Sequence, residues 1–197
     1  MKMSSEEITK YEIIYADPPW QYRVLSKKDA GRTAESHYQT VTPDFLKKMD
    51  IPVLSKPDCV LFMWATFPCL QQALELGETW GFNYKTIAFV WIKTNMKDDR
   101  IFIGMGHYTR ANAEVVLLFT KGKSLKRHAR NVSQVLISPR RRHSGKPDEI
   151  RERIKKLFGD VSRLELFARE FDDGEHNFDG WDVFGNEVEN SITIPDF

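Results

Sequence analysis

Near its start the chain reads Tyr11-Glu12-Ile13-Ile14-Tyr15-Ala16-Asp17-Pro18-Pro19-Trp20. The β-favouring residues Ile13, Ile14 and Tyr15 form an apolar run that predicts a buried strand. Because proline cannot continue a central strand, we expect the strand to end at Asp17. In an open α/β sheet, ligands bind in the crevice outside the carboxyl ends of the strands. The stretch therefore places a carboxylate, two prolines and an indole where a ligand would bind.

Two interpretations of Asp17-Pro18-Pro19-Trp20 are open from these residues alone. In the first, the Asp17 carboxylate and the Pro18 carbonyl accept hydrogen bonds from the exocyclic amine of a nucleobase, and the prolines hold both acceptors rigidly. Trp20 then offers a stacking surface, a contact that contributes about 1–3 kcal/mol per base. In the second, the strand ends in an ordinary proline turn and Trp20 belongs to the core.

The rest of the chain alternates predicted strands with predicted helices. Apolar runs predict strands at residues 58–65, 86–91, 113–120, 163–167 and 180–186, and an alternating pattern predicts a half-buried strand near an edge at 132–137. Helices are predicted from the Thr42 cap to near Met49, from Pro68 to Trp80 and from Lys146 to Phe158, with loops at 21–40, 96–110 and 139–145. This alternation predicts a three-layer α/β/α sheet, largely parallel and Rossmann-like.

Bulk properties indicate a single domain over residues 1–197, with flexible ends at 1–10 and 190–197. The polar start does not resemble a signal peptide, and no apolar run approaches the roughly 18 residues of a membrane helix. Cys59 and Cys69 are interpreted as buried thiols in a reducing compartment, so we expect a cytoplasmic protein without a membrane partner. The five histidines show no metal-ligand spacing, and no Gly-x-Gly-x-x-Gly or Walker loop occurs, so neither a metal site nor a nicotinamide cofactor is predicted.

The net charge of +1 conceals an uneven distribution. Residues 121–156 contain thirteen Lys and Arg against three Asp and Glu, whereas residues 159–197 contain two against eleven. A basic block of this kind suits a polyanion-binding surface, because phosphate contacts supply most non-specific affinity for nucleic acid. The alternative is a solvated helix face followed by a charged loop. The predicted phosphate contacts are Lys27, Lys28, Arg140, Arg141 and Arg142.

Four motifs occur in order along the chain: Asp17-Pro18-Pro19-Trp20, Trp91-Ile92-Lys93-Thr94-Asn95, Lys146-Pro147-Asp148-Glu149 and Glu165-Leu166-Phe167-Ala168-Arg169. Together they resemble the motifs of amino-group methyltransferases. The form with Trp20 resembles the N6-adenine branch, which includes the catalytic subunit of the eukaryotic messenger-RNA adenosine methyltransferase and many small bacterial and phage enzymes. The similarity runs from about Tyr11 to Glu187, nearly the whole chain.

The resemblance implies S-adenosylmethionine as cofactor, S-adenosylhomocysteine as product, and a circularly permuted motif order in which the cofactor-binding half follows the catalytic half. It places the cofactor among Asp17, Lys146, Phe167, Arg169, Asn186 and Glu187. For Lys146 and Arg169 the alternative is ordinary surface charge. The resemblance also puts Tyr38 near the target base, with a packed tyrosine as the alternative. Relatives often have Gly at the position of Ala168 and Gln at that of Glu187.

The predicted function is a site-specific DNA-methyltransferase acting on adenine N6 by direct in-line attack, with the base held by Asp17, Pro18, Pro19 and Trp20. Because a base inside a duplex cannot reach such a pocket, DNA must be single-stranded or its target base flipped. The same reaction on RNA is the nearest alternative, and cytosine N4 methylation is less favoured. An inactive partner subunit that only binds nucleic acid is the alternative of another class. A monomer or a homodimer is expected.

Overall fold

The strands of the chain form one mixed sheet. The computed structural model describes residues 8–20, 42–141, 145–170 and 178–194, and within these ranges seven strands pair in the order β5-β3-β4-β2-β1-β6-β7. The strands are β1 (Tyr11–Ala16), β2 (Ser55–Ala65), β3 (Asn83–Thr94), β4 (Ala113–Lys121), β5 (Val135–Pro139), β6 (Arg163–Leu166) and β7 (Asp182–Phe184).

Six of these strands run in the same direction. β1 is parallel to β2 and β6, β6 is parallel to β7, and β3 is parallel to β5. β4 alone is reversed, because it pairs antiparallel with both β2 and β3. The prediction of a largely parallel sheet is therefore confirmed. The carboxyl ends of the parallel strands share one edge, and the amino end of β4 lies at that same edge.

The helices begin and end for reasons that are visible in the sequence. They are α1 (Pro43–Lys48), α2 (Ile51–Leu54), α3 (Leu70–Thr79) and α4 (Glu149–Phe158), and a 3₁₀ turn at Phe67–Cys69 precedes α3. The Thr42 side chain caps α1 by accepting a hydrogen bond from the Phe45 N–H at 3.2 Å, as predicted. Gly159 ends α4 with φ at 70°, also as predicted.

Two helix boundaries differ from the prediction. α4 begins at Glu149 rather than at Lys146. Lys146 precedes Pro147, and the residue before a proline is biased towards extended backbone, so the helix cannot include it. α3 begins at Leu70 because the 3₁₀ turn occupies the residues before it. The short helix α2 has no counterpart among the predicted elements.

The strand predictions are confirmed with shifted ends. β2 and β3 each begin three residues earlier than predicted, at Ser55 and Asn83. β5 lies at the edge of the sheet, as its alternating pattern indicated, but covers only Val135–Pro139. None of the helices in the described ranges has the length and hydropathy that a membrane span requires.

The core lies in two layers, one on each face of the sheet. One face packs against α1, α2 and α3, and its buried residues include Ile14 of β1, Leu46 and Leu76. The other face packs against α4, with Ile13 of β1 and Ile150 among its buried residues. β1 is thus buried on both sides, as a continuous apolar run predicts for a central parallel strand. The three-layer α/β/α arrangement is confirmed.

A glycine lets α3 lie close to the sheet. A Cβ added at the buried Gly77 would lie 2.4 Å from Cε1 of Phe119 in β4.

We predict that Gly77→Ala lowers the free energy of unfolding by about 1–3 kcal/mol, because the Phe119 ring must shift within a packed core. Urea denaturation measures the change. The matched control is Glu78→Ala, an exposed neighbour on the same helix, which we expect to stay within about 0.5 kcal/mol. A gain in stability at Gly77→Ala, as helix propensity alone would give, contradicts the prediction.

Candidate active site

A cavity of about 230 Å³ opens at the carboxyl edge of the sheet, where β1, β6 and β7 end. Strands β2 to β5 lie on one side of β1 in the sheet, and β6 and β7 lie on the other side. The strand order therefore switches direction at β1. Ligands of open α/β sheets bind at such a switch point. The residues that line the cavity are Asp17, Pro18, Pro19, Phe167, Arg169, Asn186 and Glu187. The structure therefore brings the first motif together with four of the residues predicted to surround a cofactor.

The Asp17-Pro18-Pro19-Trp20 turn is held by backbone hydrogen bonds. The Asp17 N–H donates to the Leu166 carbonyl at 3.4 Å, which attaches the turn to β6. The Trp20 N–H donates to the Pro18 carbonyl at 2.8 Å. A carbonyl oxygen has two lone pairs, so Pro18 keeps capacity for a second donor. The predicted pair of acceptors at Asp17 and Pro18 is thus present at the mouth of the cavity.

Trp20 lies in the core, as the second interpretation of the turn expected. Its side chain is 5% exposed, and its indole N–H donates to the Trp64 carbonyl at 3.0 Å. It belongs to the core layer that contains α1 and α3. The open stacking surface predicted for Trp20 is not what the structure shows, because the indole fills space between the turn and these helices.

Asp17 belongs to a row of four charges of alternating sign. The Lys146 ammonium lies 2.9 Å from Oδ2 of Asp17 and 3.5 Å from Oε2 of Glu114, and Lys93 pairs with the other oxygen of Glu114. The four side chains are between 13% and 20% exposed. Lys146 also lies 5.5 Å from the centroid of the Trp64 ring, within the range of a cation–π contact. The position of Lys146 against Asp17 rules out its interpretation as ordinary surface charge.

Glu114 is the site residue that the sequence analysis missed. Burial raises the pKa of its carboxyl group, but the ammonium groups of Lys146 and Lys93 outweigh burial, so the pKa lies below its ordinary value. A signal was present in the sequence: Glu114 is a lone acid at the head of the apolar run Ala113–Lys121. Its pairing with Lys146 depends on the reversal of β4, which brings the start of this strand to the edge where the other strands end.

A second charge network holds α4 to the end of β6. Arg151 is 4% exposed and binds Glu165 through two hydrogen bonds, from Nε at 2.5 Å and from Nη2 at 2.7 Å. Arg151 also pairs with Asp148, whose other oxygen accepts a hydrogen bond from Arg141 at 2.8 Å. Burial alone would lower the pKa of Arg151, yet Glu165 raises it above its ordinary value. Since Asp148 follows Lys146 by two residues, the network fixes the segment that carries the Lys146 ammonium.

The predicted phosphate contacts divide into three groups. Arg140 is exposed, and its guanidinium lies 4.6 Å from the centroid of the Phe102 ring. Arg141 forms an ion pair with Asp148 at 2.8 Å and is partly exposed, and its contact with phosphate stays a prediction. Lys27, Lys28 and Arg142 lie outside the described residues, as does Tyr38, which was predicted near the target base.

The walls of the cavity at the ends of β6 and β7 are locked together. Phe167 has φ at 62°, a conformation that non-glycine residues rarely adopt and that is found most often at functional sites. A Cβ added at Gly185 would lie 2.0 Å from the Ala168 carbonyl oxygen, so only glycine permits this approach of the two backbones. Arg169 and Glu187 form an isolated parallel bridge beside it. Ala168 itself is buried and outside the cavity lining, so its methyl group does not narrow the cavity.

A mostly parallel sheet with a cavity lined by charged, amide, proline and aromatic residues at its carboxyl edge is consistent with a Rossmann-like methyltransferase fold. The chain belongs to the MT-A70 family, whose sequence model matches residues 11–187. The family resemblance found in the four motifs is therefore confirmed. The protein is a methyltransferase, and the predicted cofactor, S-adenosylmethionine, is the one that MT-A70 methyltransferases use.

Named relatives differ in how much of their own length this chain covers. The Type II methyltransferase M.MunI of Mycoplasma sp is 39% identical over 203 residues, which is 94% of this chain and 82% of that protein. The N(6)-adenosine-methyltransferase catalytic subunit METTL3 of Homo sapiens is 30% identical, over 91% of this chain but 28% of that protein. A Probable N(6)-adenosine-methyltransferase MT-A70-like of Oryza sativa subsp. japonica is 30% identical, over 95% and 24% respectively. The chain thus spans about a quarter of the two longer relatives.

The cavity suits S-adenosylmethionine by the chemistry of its lining. The cofactor presents a ribose diol, a carboxylate, an ammonium group and a flat purine. Asn186 and Glu187 offer a donor and acceptors for hydroxyl groups, Arg169 suits a carboxylate, and the Phe167 ring offers an apolar surface. The Glu187 carboxylate has no amide donors but offers the acceptors that a diol requires. The residues present therefore fit the cofactor.

The buried pair between α4 and β6 yields a stability prediction. We expect Arg151→Ala to lower the free energy of unfolding by about 3–5 kcal/mol, because Glu165 is left buried without its partner. Chemical denaturation measures the loss. The matched control is Lys155→Ala on the same helix, whose bridge to the more exposed Glu152 contributes no more than about 1 kcal/mol.

A double variant separates the charge from the packing. Arg151→Met combined with Glu165→Leu replaces both charges with apolar side chains of comparable size, and we expect it to recover most of the loss. Equal destabilisation of the double variant and of Arg151→Ala would contradict an electrostatic origin.

Proposed function

We propose that this protein transfers a methyl group to N6 of adenine in DNA. The observation that carries the proposal is the position of Asp17, which lines the cofactor-compatible cavity and is held in place by the Lys146 ammonium at 2.9 Å. The carboxylate lies beside a cavity of this chemistry, on a turn that two prolines make rigid. It suits the recognition of an amine that must meet a methyl donor.

The chain's own residues would bind and orient the amine. The Asp17 carboxylate and the Pro18 carbonyl accept its two N–H groups, which draws the nitrogen lone pair out of conjugation with the purine ring. When bound, S-adenosylmethionine supplies a methyl group on a positively charged sulfur. As the nitrogen bonds to the methyl carbon, the carbon–sulfur bond would break and its electron pair would stay on the sulfur of S-adenosylhomocysteine. The nitrogen thereby gains positive charge, and Asp17 would stabilise this charge until one N–H proton leaves to water. Because the prolines and the ion pair with Lys146 fix the carboxylate beforehand, little reorganisation is needed.

The choice of adenine N6 and of DNA is supported by different observations. Adenine N6 is supported by the printed names of the human and rice relatives and by the motif set that begins at Asp17. DNA is supported by the higher identity to M.MunI, of which this chain covers 82%, and by the association of small stand-alone members of the family with DNA. RNA remains the second candidate substrate, since the longer relatives named for N(6)-adenosine match over most of this chain.

A role as an inactive nucleic-acid-binding partner is disfavoured by the intact acceptors. Asp17 and Pro18 are both present, and Arg169, Asn186 and Glu187 line the cavity beside them. The monomeric or homodimeric state and the cytoplasmic location remain predictions of the sequence.

The variant Asp17→Ala tests the proposal. The wild-type protein is incubated with S-adenosylmethionine labelled in its methyl group and with parallel pools of DNA and RNA, and the digested nucleosides are separated. We expect labelled N6-methyladenine in the DNA pool. We expect Asp17→Ala to lower its formation by at least about 10²–10³-fold, the range found when a group that stabilises transition-state charge is removed.

Asp50→Ala is the control variant for this experiment. Asp50 is exposed before α2 and its side chain makes no capping hydrogen bond, so we expect full transfer. Thermal melts establish that both variants fold. Undiminished transfer by Asp17→Ala refutes the role of the carboxylate, and label found only in the RNA pool refutes DNA as the substrate.

A further inference from the structure

The chain between β3 and β4 forms a narrow projection, here called the finger (residues 102–112). Lys93 anchors both of its ends, because the Phe102 N–H donates to the Lys93 carbonyl at 2.8 Å and the Lys93 N–H donates to the Asn112 carbonyl at 2.8 Å. Farther out, the Gly104 N–H donates to the Ala111 carbonyl at 2.9 Å. The sequence analysis predicted only a loop for most of this region.

Two glycines hold the two arms of the finger close together. A Cβ at Gly104 would lie 2.5 Å from the Ala111 carbonyl oxygen, and a Cβ at Gly106 would lie 2.0 Å from the Thr109 carbonyl oxygen. Any larger residue at either position would force the arms apart. The finger is therefore a built feature whose width depends on these glycines.

The outer part of the finger presents large apolar side chains to solvent. Ile103 is 70% exposed, Met105 is 57% exposed and Tyr108 is 96% exposed. Apolar side chains that are exposed singly are common, but three within six residues on one projection form a patch of the kind that marks an interaction site. Most of the surface of these three side chains is not buried by the described chain, so it is available for contact with another molecule.

The finger stands beside the site that holds the amine. Its anchor Lys93 pairs through its side chain with Glu114, which contacts Lys146, which in turn contacts Asp17. Glu114 follows the last residue of the finger by two positions. A molecule whose amine reaches Asp17 therefore has its flanking parts near the finger.

The charges around the finger favour a polyanion as its partner. The Arg140 guanidinium covers the Phe102 ring at the base of the finger, and Arg110 is exposed on the returning arm. Exposed cations positioned around apolar and aromatic side chains match what nucleic-acid surfaces offer, namely phosphates flanking stacked bases.

We propose that the finger inserts Ile103, Met105 and Tyr108 into the base stack of duplex DNA beside the target adenine. This inference rests on the proposed function. An adenine in a duplex must leave the stack before its amine can reach Asp17, and apolar side chains inserted between base steps offset the lost stacking. A single-stranded substrate needs no such insertion. The finger is therefore required for duplex DNA and dispensable for single strands.

The test compares duplex and single-stranded DNA as substrates for one variant. Ile103→Ser, Met105→Ser and Tyr108→Ser are combined, and methyl transfer from labelled S-adenosylmethionine is measured on one random-sequence DNA pool in both forms. We expect transfer to the duplex pool to fall at least about tenfold, because unstacking a base step is no longer offset. We expect transfer to the single-stranded pool to stay within about twofold. The control is Phe45→Ser, which removes an exposed apolar side chain on α1 and should leave both rates unchanged.

Each other outcome overturns the proposal in its own way. Equal loss on both pools shows that the finger contributes general binding rather than base extrusion, and no loss on either shows that it is not used. A wild-type protein that sediments as a dimer and a variant that sediments as a monomer identify the finger as a contact between copies. Absence of transfer by the wild type to both pools refutes the proposed function itself, and the inference falls with it. Activity of the wild type on single strands alone refutes the inference while leaving the proposed function standing.

Discussion

The ion pair between Asp17 and Lys146 is the contact on which the site depends. It joins the end of the first strand to a segment that precedes the last helix, with most of the chain between them. Both groups are largely buried, so each would be costly to desolvate without the other. Glu114 and Lys93 extend the pair into a row of alternating charges. The row holds the Asp17 carboxylate in place beside the cavity.

The direction of the strands explains why this row forms at one place. Six parallel strands bring their carboxyl ends to a common edge, which gathers Asp17, Phe167 and Asn186 around one cavity. The reversed strand β4 contributes its amino end to that edge and so supplies Glu114. The same reversal places the finger beside the site. Both ends of the finger are bonded to the backbone of Lys93, and Glu114 follows its last residue by two positions. The position of the finger and the placement of the charges thus share one structural origin.

Rigidity around the cavity comes from packing and from a second ion pair. Arg151 fastens α4 to β6 through Glu165, and the backbone of Gly185 lies against that of Ala168. Phe167 is held in a strained conformation between these two attachments. A site that is held in place before its substrates arrive does not have to reorganise during reaction, which is the main way in which fixed dipoles and charges lower a barrier.

The sequence by itself determined the strands, the Thr42 and Gly159 helix ends and the edge position of β5, because apolar periodicity and capping chemistry are local properties. The residues that line the cavity, among them Phe167 and Asn186, were indicated by the family resemblance of the motifs. The tertiary structure alone decided that Trp20 is buried, that Arg141 pairs with Asp148, and that Glu114 joins Lys146 and Asp17. Each of these depends on which distant element lies alongside. A charged residue has the same local sequence pattern whether it faces solvent or is buried. Only the packing of a distant strand or helix against it removes the surrounding water.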